Sequence, residues 1–194
     1  MEAIRCSWCL SSPEYIEYHD NEWGKPIYDD PTLFECIVLE SAQAGLSWIT
    51  ILRKREGYRA AFHQFDPEKV AKMTTDDVER LVQDPSIVRH RGKIEATIAN
   101  AQSFLAIAEE FGSFSDYYWA FSDHQVIDTA PSSLSDVPAV TELSTRLSKD
   151  MKKRGFRFFG PTTCYAFMQA SGMVNDHVAD CIGRISSSPP AKED

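Results

Sequence analysis

The stretch Asp84-Pro85-Ser86-Ile87-Val88-Arg89-His90-Arg91-Gly92-Lys93-Ile94 runs into a series of apolar residues at Ile94, Ile98, Ala101, Leu105 and Ala108. Alternating steps of four and three place those five side chains on one face of an α-helix. The basic residues ahead of Ile94 form a short turn, so the segment, about 84–94, reads as helix, basic hairpin, helix. The same spacing recurs on both sides. Leu33, Ile37 and Ala44 share a helical face between Pro31 and Ala44, flanked by Phe34 and Val38. Gly45 interrupts that pattern, and Ser47 is placed to cap a second helix through Ile51 and Leu52. Leu143, Leu147 and Met151 mark a helix that Gly155 ends. Gly160-Pro161-Thr162-Thr163 opens another, with Pro in the first turn and Gly172 at the close. No long alternating Val/Ile/Thr pattern appears. The expected fold is all-α, a single domain over 1–185 with a Ser- and Pro-rich loop from Val126 to Val140. The tail 186–194 reads as disordered.

The chain has 194 residues, of which 43% are hydrophobic and 25% charged, ordinary for a globular core. It has no apolar run of membrane-spanning length. Met1-Glu2-Ala3-Ile4-Arg5-Cys6 does not read as a signal peptide, so a cytoplasmic location is the expectation. Twenty Lys and Arg against 29 Asp and Glu give a net charge of −9. In bulk, that charge argues against a phosphate-rich partner. Its distribution argues otherwise. Windows 53–59, 89–93 and 149–157 hold twelve of the basic residues and only Glu56 and Asp150 as acids, a net +10 over 21 residues against −19 over the rest. Arg89, His90, Arg91 and Lys93, at the start of a helix, are suited to clamp a phosphate without reading sequence.

Five cysteines, at 6, 9, 36, 164 and 181, are an odd number with no secretory signal, which favours metal binding or burial over disulfides. Cys6 and His19 stand near one end of the chain. His177 and Cys181 stand near the other, spaced i, i+4. Two thiolates and two imidazoles make a closed tetrahedral set suited to one structural zinc, which would join positions 158 residues apart (19 and 177). Cys6-x-x-Cys9 is a tighter local pair, and Cys9 is an alternative fourth ligand to His19. Asp176 or Asp180 is placed to orient a ligand histidine.

Glu40 falls in register with Leu33, Ile37 and Ala44, which puts a carboxylate on an apolar face, costly unless it is paired or used. Trp8, Tyr15, Tyr18 and Trp23 crowd the N-terminal segment, and Trp48 follows the Gly45 break. One acid among many aromatics suits a flat cationic ring.

Taken together, these stretches resemble the 3-methyladenine-DNA glycosylase I family, a branch of the helix–hairpin–helix glycosylases. The likeness rests on Tyr18-His19-Asp20-Asn21-Glu22-Trp23-Gly24, Leu39-Glu40, Gln43-Ala44-Gly45-Leu46-Ser47-Trp48-Ile49, Arg89-His90-Arg91-Gly92-Lys93-Ile94, Lys152-Lys153-Arg154-Gly155-Phe156 and Asn175-Asp176-His177-Val178. The chain departs from the family pattern at Ser86 in the hairpin and at Ser41-Ala42 after Glu40. The resemblance implies a helical fold whose termini a zinc ion staples through Cys6, His19, His177 and Cys181. It implies hydrolysis of the N-glycosidic bond of 3-methyladenine in double-stranded alkylated DNA. Glu40 is then the catalytic and base-binding carboxylate, with Trp8, Tyr15, Tyr18 and Trp48 around the extruded base; Trp23, from the same N-terminal aromatic cluster, completes the expected substrate-binding set. Gln43 and Leu46 are placed to fill the vacated space in the duplex. A monomer with no protein partner is expected. Two other readings share parts of the pattern: a glycosylase/lyase using Lys93 as Schiff-base nucleophile, and a zinc-stabilised DNA-binding module without catalysis.

Overall fold

In the computed structural model, which describes residues 3–187, helices form wherever the apolar periodicity marks them. Residues 188–194 of the tail lie outside the described residues. The elements in order are α1 (Pro13–Asn21), α2 (Asp30–Gln43), α3 (Trp48–Ala61), α4 (Pro67–Val70), α5 (Thr75–Leu81), α6 (Arg91–Phe111) and α7 (Phe114–Ala120), then β1 (Ile127–Asp128), α8 (Glu142–Lys153), α9 (Pro161–Ala170), β2 (Val174–Asn175) and α10 (Ile182–Ser187). Helix α10 carries the chain through Ser187, so Ser186 and Ser187 continue a helix where a disordered tail was expected. Among the described residues no helix is long and apolar enough to cross a membrane.

Helix α2 lies at the centre, packed against α3, α6, α7 and α9. Its start is fixed by side chains. Asp29 accepts from the Thr32 N–H at 2.9 Å, and Pro31 stands in the first turn. Asp30 then accepts from the N–H groups of Phe114 and Ser115, both at 2.9 Å, which satisfies the start of α7 and docks it on α2. Leu33, Phe34 and Ile37 are fully buried. Because Glu40 lies one turn beyond Ile37 on this central helix, the packing that buries Ile37 also buries the carboxylate.

Three details differ from the expectation. Helix α2 ends at Gln43, so Ala44 is exposed at its C-cap instead of completing the stripe. On α6 the buried face is centred on Ile94, Ala101, Phe104 and Ile107, while Leu105 and Ala108 are half-buried at its edge. The Val126–Val140 loop contains β1, which pairs in parallel with β2 in the register Ile127 to Val174 and Asp128 to Asn175, and a 3-10 turn at Leu134–Asp136. Two-residue strands have no room for an alternating pattern, so periodicity does not reveal them.

Past the end of α9, Gly172 adopts φ +74°, and a Cβ there would stand 2.3 Å from the Lys25 carbonyl carbon and 2.4 Å from Pro26 N. The neighbouring Ser171 carbonyl accepts from Ile27 N at 3.0 Å, so the backbones are already pinned together. Gly172→Ala therefore meets both an unfavourable dihedral and backbone atoms that cannot move aside. We expect a loss of about 3 kcal/mol, a Tm lower by roughly 6–12 °C in a calorimetric scan; an unchanged Tm would contradict the close approach.

Candidate active site and metal cluster

The two chain ends meet in a buried cluster. Cys6 lies just before a 3-10 turn (Ser7–Ser11), His19 in the last turn of α1, His177 just past β2, and Cys181 at the entry to α10. All four are buried, and their ligand atoms lie within 4.8 Å of one another. Cys181 Sγ is 3.3 Å from His19 Nε2 and 3.5 Å from His177 Nδ1; Cys6 Sγ is 3.7 Å from His177 Nδ1. A tetrahedral zinc with Zn–S of about 2.3 Å and Zn–N of about 2.0 Å requires S···N separations of about 3.5 Å. The donor set therefore fits a metal ion of that size.

The outer nitrogens are also accounted for. His19 Nδ1 lies 2.8 Å from Asp20 Oδ1, and Arg5 grips both Asp20 oxygens at 3.0 and 2.8 Å. His177 Nε2 lies 3.2 Å from the Trp23 carbonyl. Protons on these outer nitrogens aim the opposite lone pairs into the cluster. Asp20, rather than Asp176 or Asp180, orients a histidine of the cluster. Asp176 instead accepts from Tyr165 Oη at 2.6 Å and Gln169 Nε2 at 2.7 Å. Cys9 is buried, with its thiol on the Cys6 carbonyl at 3.1 Å, outside the four-ligand set. Gly24, at φ +77°, leaves the space His177 occupies, since a Cβ there would come within 2.8 Å of Nε2.

The cluster props an aromatic wall. Trp8 packs edge-on against Tyr15 (5.5 Å), Trp23 (5.1 Å) and the cluster residue His19 (5.4 Å), and Trp23 packs against His177 (4.6 Å). Tyr18 reaches Trp48 at 5.4 Å, and Tyr15 Oη accepts from the Ile49 N–H at 3.0 Å, which ties α1 to the start of α3. This wall lines a cavity of about 340 Å³. Trp8, Tyr15, Tyr18, Trp23, Glu40, Gln43 and Trp48 all face it, so the structure brings together the side chains expected to hold a base. Sequence reading missed the opposite wall: Leu134, Val137, Pro138 and Ala139 from the long loop, Thr162, Tyr165, Ala166 and Gln169 from α9, and Asp176. The four α9 residues stand at i, i+3, i+4 and i+7, a helical stripe that could have flagged them; the loop carries no such signal.

Inside the cavity wall, Glu40 Oε2 and Trp48 Nε1 are buried with no hydrogen-bond partner among the described residues. Burial, with no cation to offset it, pushes the Glu40 carboxyl up to about 8. Burial and the adjacent Glu40 likewise hold the Tyr18 phenol well above its usual range. A carboxyl kept neutral only by lack of solvent suits a cationic ligand, which would restore its charge.

On the opposite side of α2's C-terminus lies the hairpin. Lys93 Nζ donates to the Ala42 and Ala44 carbonyls at 2.9 and 2.6 Å, holding the α2 end to α6, and it does not line the cavity. Next to these carbonyls the Gly45-Leu46 turn projects, with Leu46 39% exposed and Gln43 Nε2 donating to its carbonyl at 3.3 Å. His90 caps α6 by accepting from Lys93 N at 3.2 Å. Lys54 and Tyr58 of α3 bond the hairpin backbone at Pro85 O (2.6 Å) and Val88 N (3.3 Å). The basic windows are less free than their composition suggests. Arg53, Arg55, Arg59, Arg91 and Arg154 are all in ion pairs with acids from outside or inside the windows. Among the described residues Arg89, Lys149, Lys152, Lys153 and Arg157 remain exposed and outside any ion pair.

Residues 8–184 match the model of the methyladenine glycosylase family. The chain is 58% identical over 177 residues to DNA-3-methyladenine glycosylase 1 of Escherichia coli K12, covering 91% of this chain and 95% of that protein. Among solved structures it is similar to a 3-methyladenine DNA glycosylase I at 55% identity and TM-score 0.90, covering 92% of this chain and 98% of that one. It is also similar to a variant of such an enzyme in complex with 3-methyladenine, at 43% identity and TM-score 0.91, covering 93% and 97%.

The Glu40 environment makes a prediction about stability. In the unfolded chain the group titrates near 4.5, and in the folded chain near 8. Its ionisation therefore opposes folding increasingly as pH rises from about 4.5, and the cost is complete above about 8. Glu40→Gln removes that cost. The Tm gain from the substitution should be larger at pH 9 than at pH 6; a gain independent of pH would show that the carboxyl titrates normally.

Proposed function

The chain belongs to the methyladenine glycosylase family, and on that premise we infer that it hydrolyses the N-glycosidic bond of 3-methyladenine in alkylated double-stranded DNA, the entry step of base excision repair. The observation that carries this reading is the unpartnered Glu40 carboxyl in an aromatic cavity large enough for a purine.

A base cannot be reached inside the duplex, and an alkylated one is cheaper to extrude than a normal pair. Gln43, the last residue of α2, lines the cavity, and Leu46 on the exposed turn that follows is the apolar wedge that fills the gap the base leaves. Backbone N–H groups at the start of α6, with Arg89 beside them, take a phosphate without reading sequence. Trp8, Tyr15, Tyr18, Trp23 and Trp48 surround the flipped ring. Methylation at N3 leaves the nucleoside cationic, so the bond to sugar is already weak and little acid assistance is required. Against this cation the Glu40 carboxyl gives up its proton to solvent as the base enters, and the ion pair forms among the aromatic side chains; water then adds to the sugar C1′, the bond from C1′ to the base nitrogen breaks, and the base leaves as neutral 3-methyladenine. Neutral adenine gains no such pairing. The same negative charge favours an oxocarbenium-like transition state. Glu40 thus discriminates more than it activates.

Cys6, His19, His177 and Cys181 hold one zinc in this reading. With all four donors supplied by the chain, a bound ion would balance the charge of two thiolates, and its part would be structural. The chemistry of the donor set and its S···N spacings support this. Lys93 as a Schiff-base nucleophile fares less well, since its ammonium is engaged on two carbonyls away from the cavity.

Incubated with methylated duplex DNA, the protein should release free 3-methyladenine, detected by chromatography, and borohydride should trap no covalent adduct. Glu40→Gln should weaken binding of the cationic base by about tenfold or more; unchanged excision and unchanged binding would remove Glu40 from the reading. Metal analysis of freshly purified protein should find one zinc per chain. Cys181→Ser should lose that zinc and lower the Tm by several degrees, whereas zinc-free protein with full stability would overturn the staple.

A further inference from the structure

Phe158 is a large apolar side chain, 41% exposed, held at φ +52°. A left-handed backbone is an uncommon, strained setting for a bulky residue, and strain of this kind persists only where the surroundings enforce it. Phe65 also has a left-handed φ, +57°, but it is buried in the core, where packing accounts for its position. No such burial accounts for Phe158. Instead, two buried polar side chains fix the backbone on both sides. Asn100 on α6 accepts from Arg157 N at 2.8 Å and donates to Arg157 O at 3.1 Å, and Ser148 on α8 donates to Phe159 O at 2.8 Å. These hydrogen bonds present the ring to solvent in a fixed direction.

That direction is toward the hairpin. The ring lies edge-on to His90, the cap of α6, at 5.9 Å, and its edge is 3.6 Å from where a Cβ on Gly92 would stand. Arg157 precedes it in sequence and Arg89 precedes His90; both are exposed and in no ion pair among the described residues. An exposed apolar ring beside a helix start, with an unpaired arginine next in sequence both to it and to its ring partner His90, complements a surface that alternates phosphate with apolar sugar.

We propose that Phe158 is part of the duplex-binding surface, its ring packing on a deoxyribose next to the phosphate taken at the start of α6. The proposal rests on the glycosylase reading and extends it. The 155–160 turn thereby becomes a second point of contact, and α9, which begins at Pro161 and lines the cavity through Thr162 and Tyr165, is aligned to the DNA by it.

Phe158→Gly separates this role from a structural one, because glycine adopts a positive φ freely. The probes are a duplex carrying a stable abasic-site analogue, free 3-methyladenine, and thermal melting. We expect a Tm equal to or above wild type, an unchanged free-base affinity, and a duplex Kd weaker by on the order of tenfold. The slope of log affinity against log salt should stay unchanged, since an apolar contact releases no counterions, whereas Arg89→Ala should reduce it. Phe158→Tyr should restore duplex affinity to within about twofold. Should Phe158→Gly destabilise the fold, Phe158→Asn, which also tolerates this backbone, replaces it. Unchanged duplex affinity in a folded Gly or Asn variant would overturn the proposal. So would a parallel loss of free-base affinity, which would mean that Phe158 acts through the pocket. A wild-type chain that binds free 3-methyladenine but not the duplex would defeat the contact alone, and one that binds neither would defeat the glycosylase reading as well.

Discussion

Two cysteines and two histidines from opposite ends of the chain converge on one buried point, and the rest of the site is built outward from it. The imidazoles of His19 and His177 are both cluster members and edge partners of Trp8 and Trp23, so the rings that line the cavity are positioned by the same side chains that join the termini. Arg5 and Asp20 orient one imidazole, and the Trp23 carbonyl orients the other. The cavity wall thus inherits its rigidity from a closure between distant chain segments, which brings four metal-type donors within 4.8 Å of one another.

Against that wall, α2 brings a carboxylate. Its position is set by ordinary core packing, since Leu33, Phe34 and Ile37 anchor the helix at the centre of the molecule. Its chemistry is set by what the described residues do not supply around it: no cation and, for one oxygen, no hydrogen-bond donor. A neutral ligand leaves that deficit in place, and a cationic one removes it. The C-terminus of α2 also meets the hairpin through Lys93, so the cavity edge, the Gly45-Leu46 turn and the start of α6 form one connected unit. A phosphate held at α6 and a base held at Glu40 are consequently referred to the same rigid frame.

Charge shows how far composition can be taken. Twelve basic residues in three windows suggested a broad cationic footprint, but ion pairs with Glu14, Glu22, Glu35, Glu79 and Glu110 neutralise much of it. What remains is narrower and sits on the hairpin and the 149–157 segment. Sequence windows count charges that are neighbours along the chain, whereas pairing is decided by neighbours in space, here 12 to 44 residues apart.

Much was legible without coordinates. The 3.6-residue period located α2, α3, α6, α8 and α9, because each buries a continuous apolar face. Local caps and breaks such as Ser47, Gly155 and Gly172 set their ends, and Glu40 stood out as a charge on an apolar stripe. The motifs around His19, Glu40 and His177 pointed to the family. Other features followed no local rule. The choice of His19 over Cys9, the Asp20 support, the wall from residues 134–139, the β1–β2 pairing and the strained Phe158 depend on which distant segments touch. The helices, the types of donor side chain and the odd carboxylate are readable from residue order alone, since period, residue chemistry and register are properties of the chain. Which donors share a metal-sized space and which cations stay unpaired emerge with folding, since both depend on distances in space between segments far apart along the chain.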